Sequence, residues 1–323
     1  MLKSNGINYE FISRNLPRVM RGKALKRIAE RTRAIIIHSY FTTFDLEAAF
    51  VARKLGMPVF WHIHSDFGEE IYIGRKIKDF IKWRLIASYY IDTIIGVSDL
   101  VVEQALKRGA PITKCYAIYN GIDVGRLINV HTELSKESLR HYLGIGKESR
   151  VILMFGWSPW IKGVDIAIEA LELLSLRINT SIVLIVVAEE DRLRAAGFDV
   201  NNPMVKVVQP TEEIGRFYSI ADIFISPSRY EGFPYSIGKA KLFGLPVVSS
   251  DLQQLKKFYC QAKGFITFKN GDPWGLAKAI EHVLNLSPAT LRSYAQYNRS
   301  LFEEKFSIKR WCKEIIDLYR AAI

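Results

Sequence analysis

Cysteine is scarce. Three residues in 323, Cys115, Cys260 and Cys312, are widely spaced and odd in number, so neither a disulfide framework nor a thiolate metal site is expected. Long apolar runs are missing too: stretches such as Val151–Phe155 and Ile182–Ala188 are strand-length, far short of the ~18 residues a bilayer-spanning helix needs. Met1 to Tyr9 show no charged start followed by an apolar segment, so the sequence predicts no export signal and a cytoplasmic setting. No Gly-x-Gly-x-x-Gly follows a strand-like run and no Gly-Lys-Ser/Thr occurs, which removes the usual anchors of nicotinamide and ATP chemistry. Negative charge is in deficit, with 33 Asp and Glu against 45 Lys and Arg and a net charge of +12. That excess asks for an anionic partner: nucleic acid, anionic lipid or a phosphorylated substrate.

What is present is a globular composition, 49% hydrophobic and 24% charged. The length predicts two domains. Short β-branched runs alternate with helical stretches, the pattern of parallel sheets flanked by helices. Strands are expected at Tyr9–Ser13, Ala34–His38, Val59–His64, Thr93–Val97 and Tyr116–Tyr119, then at Val151–Phe155, Ile182–Val187, Val205–Val208, Ile223–Ser226 and Val247–Ser249. A polar stretch, Asn129–Ser149, sets the expected boundary, giving domains 1–147 and 148–306 and a last helix, 307–323, with an apolar stripe of Trp311, Ile315, Ile316 and Tyr319. Nine basic residues between Lys3 and Arg33 face only Glu10 and Glu30. A second cluster, Arg75, Lys76, Lys78, Lys82 and Arg84, is interleaved with Ile77, Phe80, Ile81, Trp83 and Leu85 and reads as one amphipathic helix. Such a helix either lies on a membrane surface with its Trp-containing face down or packs in the core with its charges solvated.

Parallel sheets bind ligands outside the carboxyl ends of their strands. There the first half carries His38, His62, His64, Ser98 and Asn120-Gly121-Ile122-Asp123. The second half carries Gly156-Trp157 through Lys162-Gly163, then Ser228-Arg229-Tyr230-Glu231-Gly232-Phe233-Pro234. A lysine beside the free amides of a helix start suits a diphosphate, and a carboxylate just before a second helix suits sugar hydroxyls. His38 and His62 are read as satisfied core residues.

Together these motifs, with Val97-Ser98, Tyr119-Asn120-Gly121-Ile122-Asp123, Lys162-Gly163-Val164-Asp165 and Gly244-Leu245-Pro246-Val247-Val248, resemble the family 4 glycosyltransferases from about residue 34 onward. The resemblance implies a GT-B architecture, two Rossmann-like domains facing across a cleft, with the last helix crossing back to the first. It implies transfer of a sugar from a nucleotide diphosphate donor to a glycan or lipid-linked acceptor with retention, in cell-surface polysaccharide or glycoconjugate assembly, with no metal or other cofactor. Carried over, Lys162 neutralises the diphosphate, Glu231 holds sugar hydroxyls and His64 sits near the anomeric centre. Donor binding would also involve Gly156, Gly163, Gly232, Phe233, Pro234, Ser236 and Lys239, with Ser98, Asn120 and Gly121 elsewhere in the cleft.

Three departures stand out. Trp157 replaces an arginine, Lys239 replaces the second glutamate of the Glu-x7-Glu pattern, and the chain starts inside the family's first helix, without its first strand. A lysine has three donors and no acceptor, so Lys239 is expected to turn from the ribose toward the diphosphate. These departures keep open an alternative, a non-catalytic GT-B partner subunit. Nucleic acid is not expected as a partner, since no binding motif accompanies the basic residues. The basic first domain points to peripheral contact with the inner face of the cell membrane.

Overall fold

The computed structural model describes residues 8, 10–40, 44–64, 77, 79–123, 125, 135–231 and 234–323. The chain forms two compact units, Met1–Tyr119 with Cys312–Ile323, and Asn120–Trp311. The division falls at 119/120 rather than at the expected 147/148. Residues past 119 make their contacts in the second unit: Ile122 bridges Ser307, and the Arg140 guanidinium donates to Ser149 O at 2.6 Å.

In the first unit β1 (Ile37–Tyr40), β2 (Val59–Ile63), β3 (Thr93–Gly96) and β4 (Cys115–Ala117) form a wholly parallel sheet in sequential order. Alternation sends Trp61 to one face, where its Nε1 donates to Asp45 O at 3.0 Å and its ring meets Trp83 edge-on. That face is covered by α2 (Asp45–Leu55), on which α1 (Arg18–Thr32) packs, and by a π-helix, Phe80–Ala87, continued by α3 (Ser88–Tyr90). The other face carries His38, Tyr40, His62 and His64 as a cluster of stacked and tilted rings.

Two expectations are corrected here. Residues 10–13 form no strand: Phe11 is 92% exposed and Glu10 pairs with Arg31, so the apolar alternation of that stretch finds no sheet. The basic cluster is helical where it is described, but Trp83 is fully buried against Trp61, so the apolar face turned to solvent is a different one. Arg75, Lys76 and Lys78 lie outside the described residues.

The second unit holds a six-stranded parallel sheet, ordered β10-β9-β8-β5-β6-β7, from β5 (Arg150–Phe155), β6 (Ile182–Val187), β7 (Val205–Val208), β8 (Ile223–Ser226), β9 (Val247–Ser250) and β10 (Phe265–Phe268). Continuous apolar runs mark strands covered on both faces. Ile152, Leu184, Val186 and Ile225 pack against α4 (Val164–Ser175) and α5 (Pro273–Leu284). Burying each such side chain contributes about 1.5 to 3 kcal/mol. β10 was not anticipated; it is a four-residue edge strand, only half-buried, with too little pattern to stand out. The last helix, α6 (Ile308–Ala322), has Ile315 buried while Ile316 is 43% exposed, so its stripe is narrower than expected. From Cys312 onward it belongs with the first unit.

Candidate functional site

In the second unit β5 lies between β6 and β8. The chain runs outward from β5 to β6 and β7, then returns to β8 on its other side, so the carboxyl ends of β5 and β8 mark the switch point where open sheets leave a crevice. Two loops meet there. Gly163 makes the meeting close: its φ is +67°, and a Cβ would stand 2.1 Å from Pro227 O, so no other residue fits without moving one loop. The Arg229 amide donates to Ile161 O at 2.8 Å. The Arg229 guanidinium forks onto Asp165 at 2.9 and 2.6 Å, donates to Trp160 O at 2.6 Å and lies 4.7 Å from the Trp160 ring centroid. Planar, bidentate and stacked, this contact is one a lysine would not reproduce.

Fastened in this way, the loops bring Lys162 and Glu231 together. Lys162 Nζ donates to Glu231 Oε1 at 2.6 Å, and Ser228 Oγ donates to the same oxygen at 2.7 Å. Both charged residues are buried, at 9% and 8% exposure. The Trp157 ring centroid lies 5.2 Å from Nζ, so the position without the expected arginine supplies a π face to the lysine. A buried ammonium and a buried carboxylate in contact can exchange partners with a ligand that carries both phosphate and hydroxyl groups.

The helix α7 (Tyr235–Leu242) follows. Pro234 is its cap residue rather than its first helical residue, and its carbonyl accepts from the Tyr259 hydroxyl at 3.2 Å. Ser236 O accepts from the Tyr218 hydroxyl at 3.0 Å. Burial raises the pKa of both phenols. Lys239 is half-buried, desolvation lowers the pKa of its ammonium, and it makes no ion pair among the described residues. Gly156 is packed against Val186 and Val164; Gly232 and Phe233 lie outside the described residues.

Of the residues expected from the first half, His64 follows β2 directly, with burial lowering its pKa. His38 and His62 are held further down, to about 4 and about 2, first by burial and then by neighbouring imidazoles. His38 Nδ1 shares a hydrogen bond with the Tyr319 hydroxyl, whose pKa rises to about 12. Ser98 is fully buried and caps the next helix, accepting from the Val101 amide at 3.1 Å. In the second unit Asn120 is buried and Gly121 lies against Trp311 and Ile308. The Arg229–Asp165 latch was missed: both residues stand in the motif stretches, but nothing in a single sequence couples positions 64 apart.

Residues 4–126 match the model of Glycosyltransferase Family 4, and residues 149–286 that of Glycosyl transferases group 1. An uncharacterized glycosyltransferase of Methanocaldococcus jannaschii is 26% identical over 302 residues, 89% of this chain and 75% of the relative. The UDP-Gal:α-D-GlcNAc-diphosphoundecaprenol α-1,3-galactosyltransferase of Escherichia coli is 22% identical over 71% of this chain, and the match spans 61% of that enzyme. The crystal structure of Anabaena HepE in complex with UDP-glucose superposes with a TM-score of 0.85 at 18% identity, covering 99% of this chain and 88% of HepE, which establishes a shared fold. Two Rossmann-like parallel-sheet units of the GT-B class, with a glycosyltransferase model matching each half, support a family 4 glycosyltransferase.

Proposed function

We propose that the protein transfers a sugar from a nucleoside diphosphate donor to a lipid-linked acceptor, with retention of configuration and without a metal ion, in assembly of a cell-surface glycan. The observation that carries the donor reading is the buried Lys162–Glu231–Ser228 contact at the switch point of the second sheet. When donor binds, its diphosphate takes over the Lys162 ammonium, and the freed Glu231 carboxylate accepts from hydroxyls of the transferred sugar. In the reaction the bond from the anomeric carbon to the β-phosphate oxygen breaks, the acceptor hydroxyl oxygen bonds to that carbon on the same face, and the hydroxyl proton passes to the departing β-phosphate oxygen. Lys162 then stabilises the charge that gathers on the departing phosphate.

Lys239, without a carboxylate partner among the described residues, is assigned to the diphosphate in place of the cation missing at Trp157. Amides near Ser236 are assigned to donor oxygens, together with Gly232 and Phe233. His64 is kept as a catalytic candidate in the first unit. The UDP and UDP-glucose held by HepE and the diphospho-undecaprenol substrate named for the E. coli relative support a uridine donor and a polyprenyl-type acceptor. A lipid-linked acceptor places the enzyme at the inner face of the cell membrane.

Calorimetric titration with UDP, GDP and ADP and their hexose derivatives tests the reading. Binding of one diphosphate series, lost in Lys162→Met and weakened in Lys239→Ala, is expected. Nuclear magnetic resonance of the product then reports its anomer. Silence of folded protein toward every donor would overturn the enzyme reading in favour of a partner subunit.

A further inference from the structure

The helical segment that enters the π-helix spends its largest apolar side chains on solvent. Trp83 and Ala87 point into the first unit, and Lys82 turns to Asp45 of α2 at 3.0 Å. Within the π-helix Phe80, Ile81 and Leu85 share the face opposite Trp83 and Ala87, Ile77 and Tyr89 stand just before and after it, and the five are between 45% and 73% exposed. Scattered apolar residues on a surface are ordinary, whereas several gathered along one short segment mark a candidate interaction surface.

Uncompensated cations border this face. Arg84 and Lys107 share a surface hollow of about 320 Å³ with Phe80, and Arg53 shares another with Tyr89. All three are exposed, and none has an ion pair among the described residues. The carboxylates nearby are already engaged: Asp79 by Arg108 at 3.5 Å, Asp45 by Lys82, and Asp92 by the Val59 amide at 2.8 Å. The charge excess is local as well, since residues 1–119 hold 19 Lys and Arg against 11 Asp and Glu.

We infer that this face seats the first unit on the surface of an anionic bilayer, with Phe80, Ile81 and Leu85 entering the headgroup boundary and Arg84, Lys107 and Arg53 meeting lipid phosphates. Apolar side chains rimmed by cations with long aliphatic stems are what such a boundary accepts. The choice of a bilayer over an acidic protein rests on the lipid-linked acceptor proposed above; the surface itself does not.

Flotation with phosphatidylcholine vesicles, with and without an equal part of phosphatidylglycerol and with no acceptor lipid present, separates the two. The protein should float with the anionic vesicles and be released by salt. Arg84→Gln/Lys107→Gln should lower partitioning roughly 25-fold, about 1 kcal/mol per cation. Phe80→Ser/Leu85→Ser should abolish flotation at an unchanged melting temperature. A wild-type protein that stays behind, or variants that float like it, would overturn the surface. Intact flotation alongside equal transfer to a water-soluble acceptor would leave the surface standing and remove the lipid-linked acceptor.

Discussion

Lys162 and Glu231 illustrate how a buried pair punishes the loss of one member more than the loss of both. Removing one leaves an uncompensated buried charge, a cost of about 3 to 5 kcal/mol, whereas removing both leaves none. Lys162→Met should therefore destabilise the second unit more than Lys162→Met/Glu231→Gln does, read by urea unfolding of each variant; equal losses would show the pair to be solvated. Arg229 acts one step back, as a positioning residue. Arg229→Ala is expected to lower kcat/KM by about 100-fold through loop displacement, and Arg229→Lys to recover little, because a single ammonium lacks the fork. His38 and His62 give a pH dependence of known sign. Their folded pKa values, about 4 and about 2, lie below 6.5, so the fold holds them neutral, and stability is lost as pH falls below 6.5. Each contributes up to about 1.4 kcal/mol per pH unit. The melting temperature should drop between pH 7 and pH 5, and less steeply in His62→Phe. Sequence suffices to nominate Lys162 and Glu231, since each stands after a strand in a recognisable motif. It is silent on Arg229 with Asp165 and on Ser98 as a cap, because those roles depend on which loops touch.

At the scale of elements, Gly163 decides how two loops meet. Gly163→Ala would drive a Cβ into Pro227 O and strain a positive φ, so a loss of at least about 2 kcal/mol is expected together with weakened UDP binding. Unchanged UDP affinity in that variant would mean that loop contact does not place Lys162. β6 and β8, buried along their whole length, and the half-buried edge strand β7 are legible to the residue from their apolar runs. Other marginal elements are not: β10, half-buried and no longer than β7, lacks the repeated valines of β7, and the stretch around Phe11 has the pattern without a sheet to join. The π-helix is likewise invisible in sequence, since its wider turn reassigns Trp83 to the core and its apolar neighbours to solvent.

For the whole molecule, the charge of +12 divides unevenly and serves two purposes in this reading, bilayer attraction in the first unit and phosphate binding at Lys162 and Lys239 in the second. Ligand linkage should expose the division between units. UDP at about 100 times its Kd should stabilise the second unit by about 2.7 kcal/mol and leave the first unchanged, visible in calorimetry as one transition moving past another. A uniform shift of all unfolding would show that the units melt as one.

The second unit is continuous in sequence, whereas the first is interrupted and takes its final residues from Cys312–Ile323. During synthesis on the ribosome, the sheet bearing His38 therefore waits for its Tyr319 partner while some 190 residues are translated and a separate sheet can fold. Over that interval the histidine face is open to chaperones, so the first unit, although translated before the second, is completed after it.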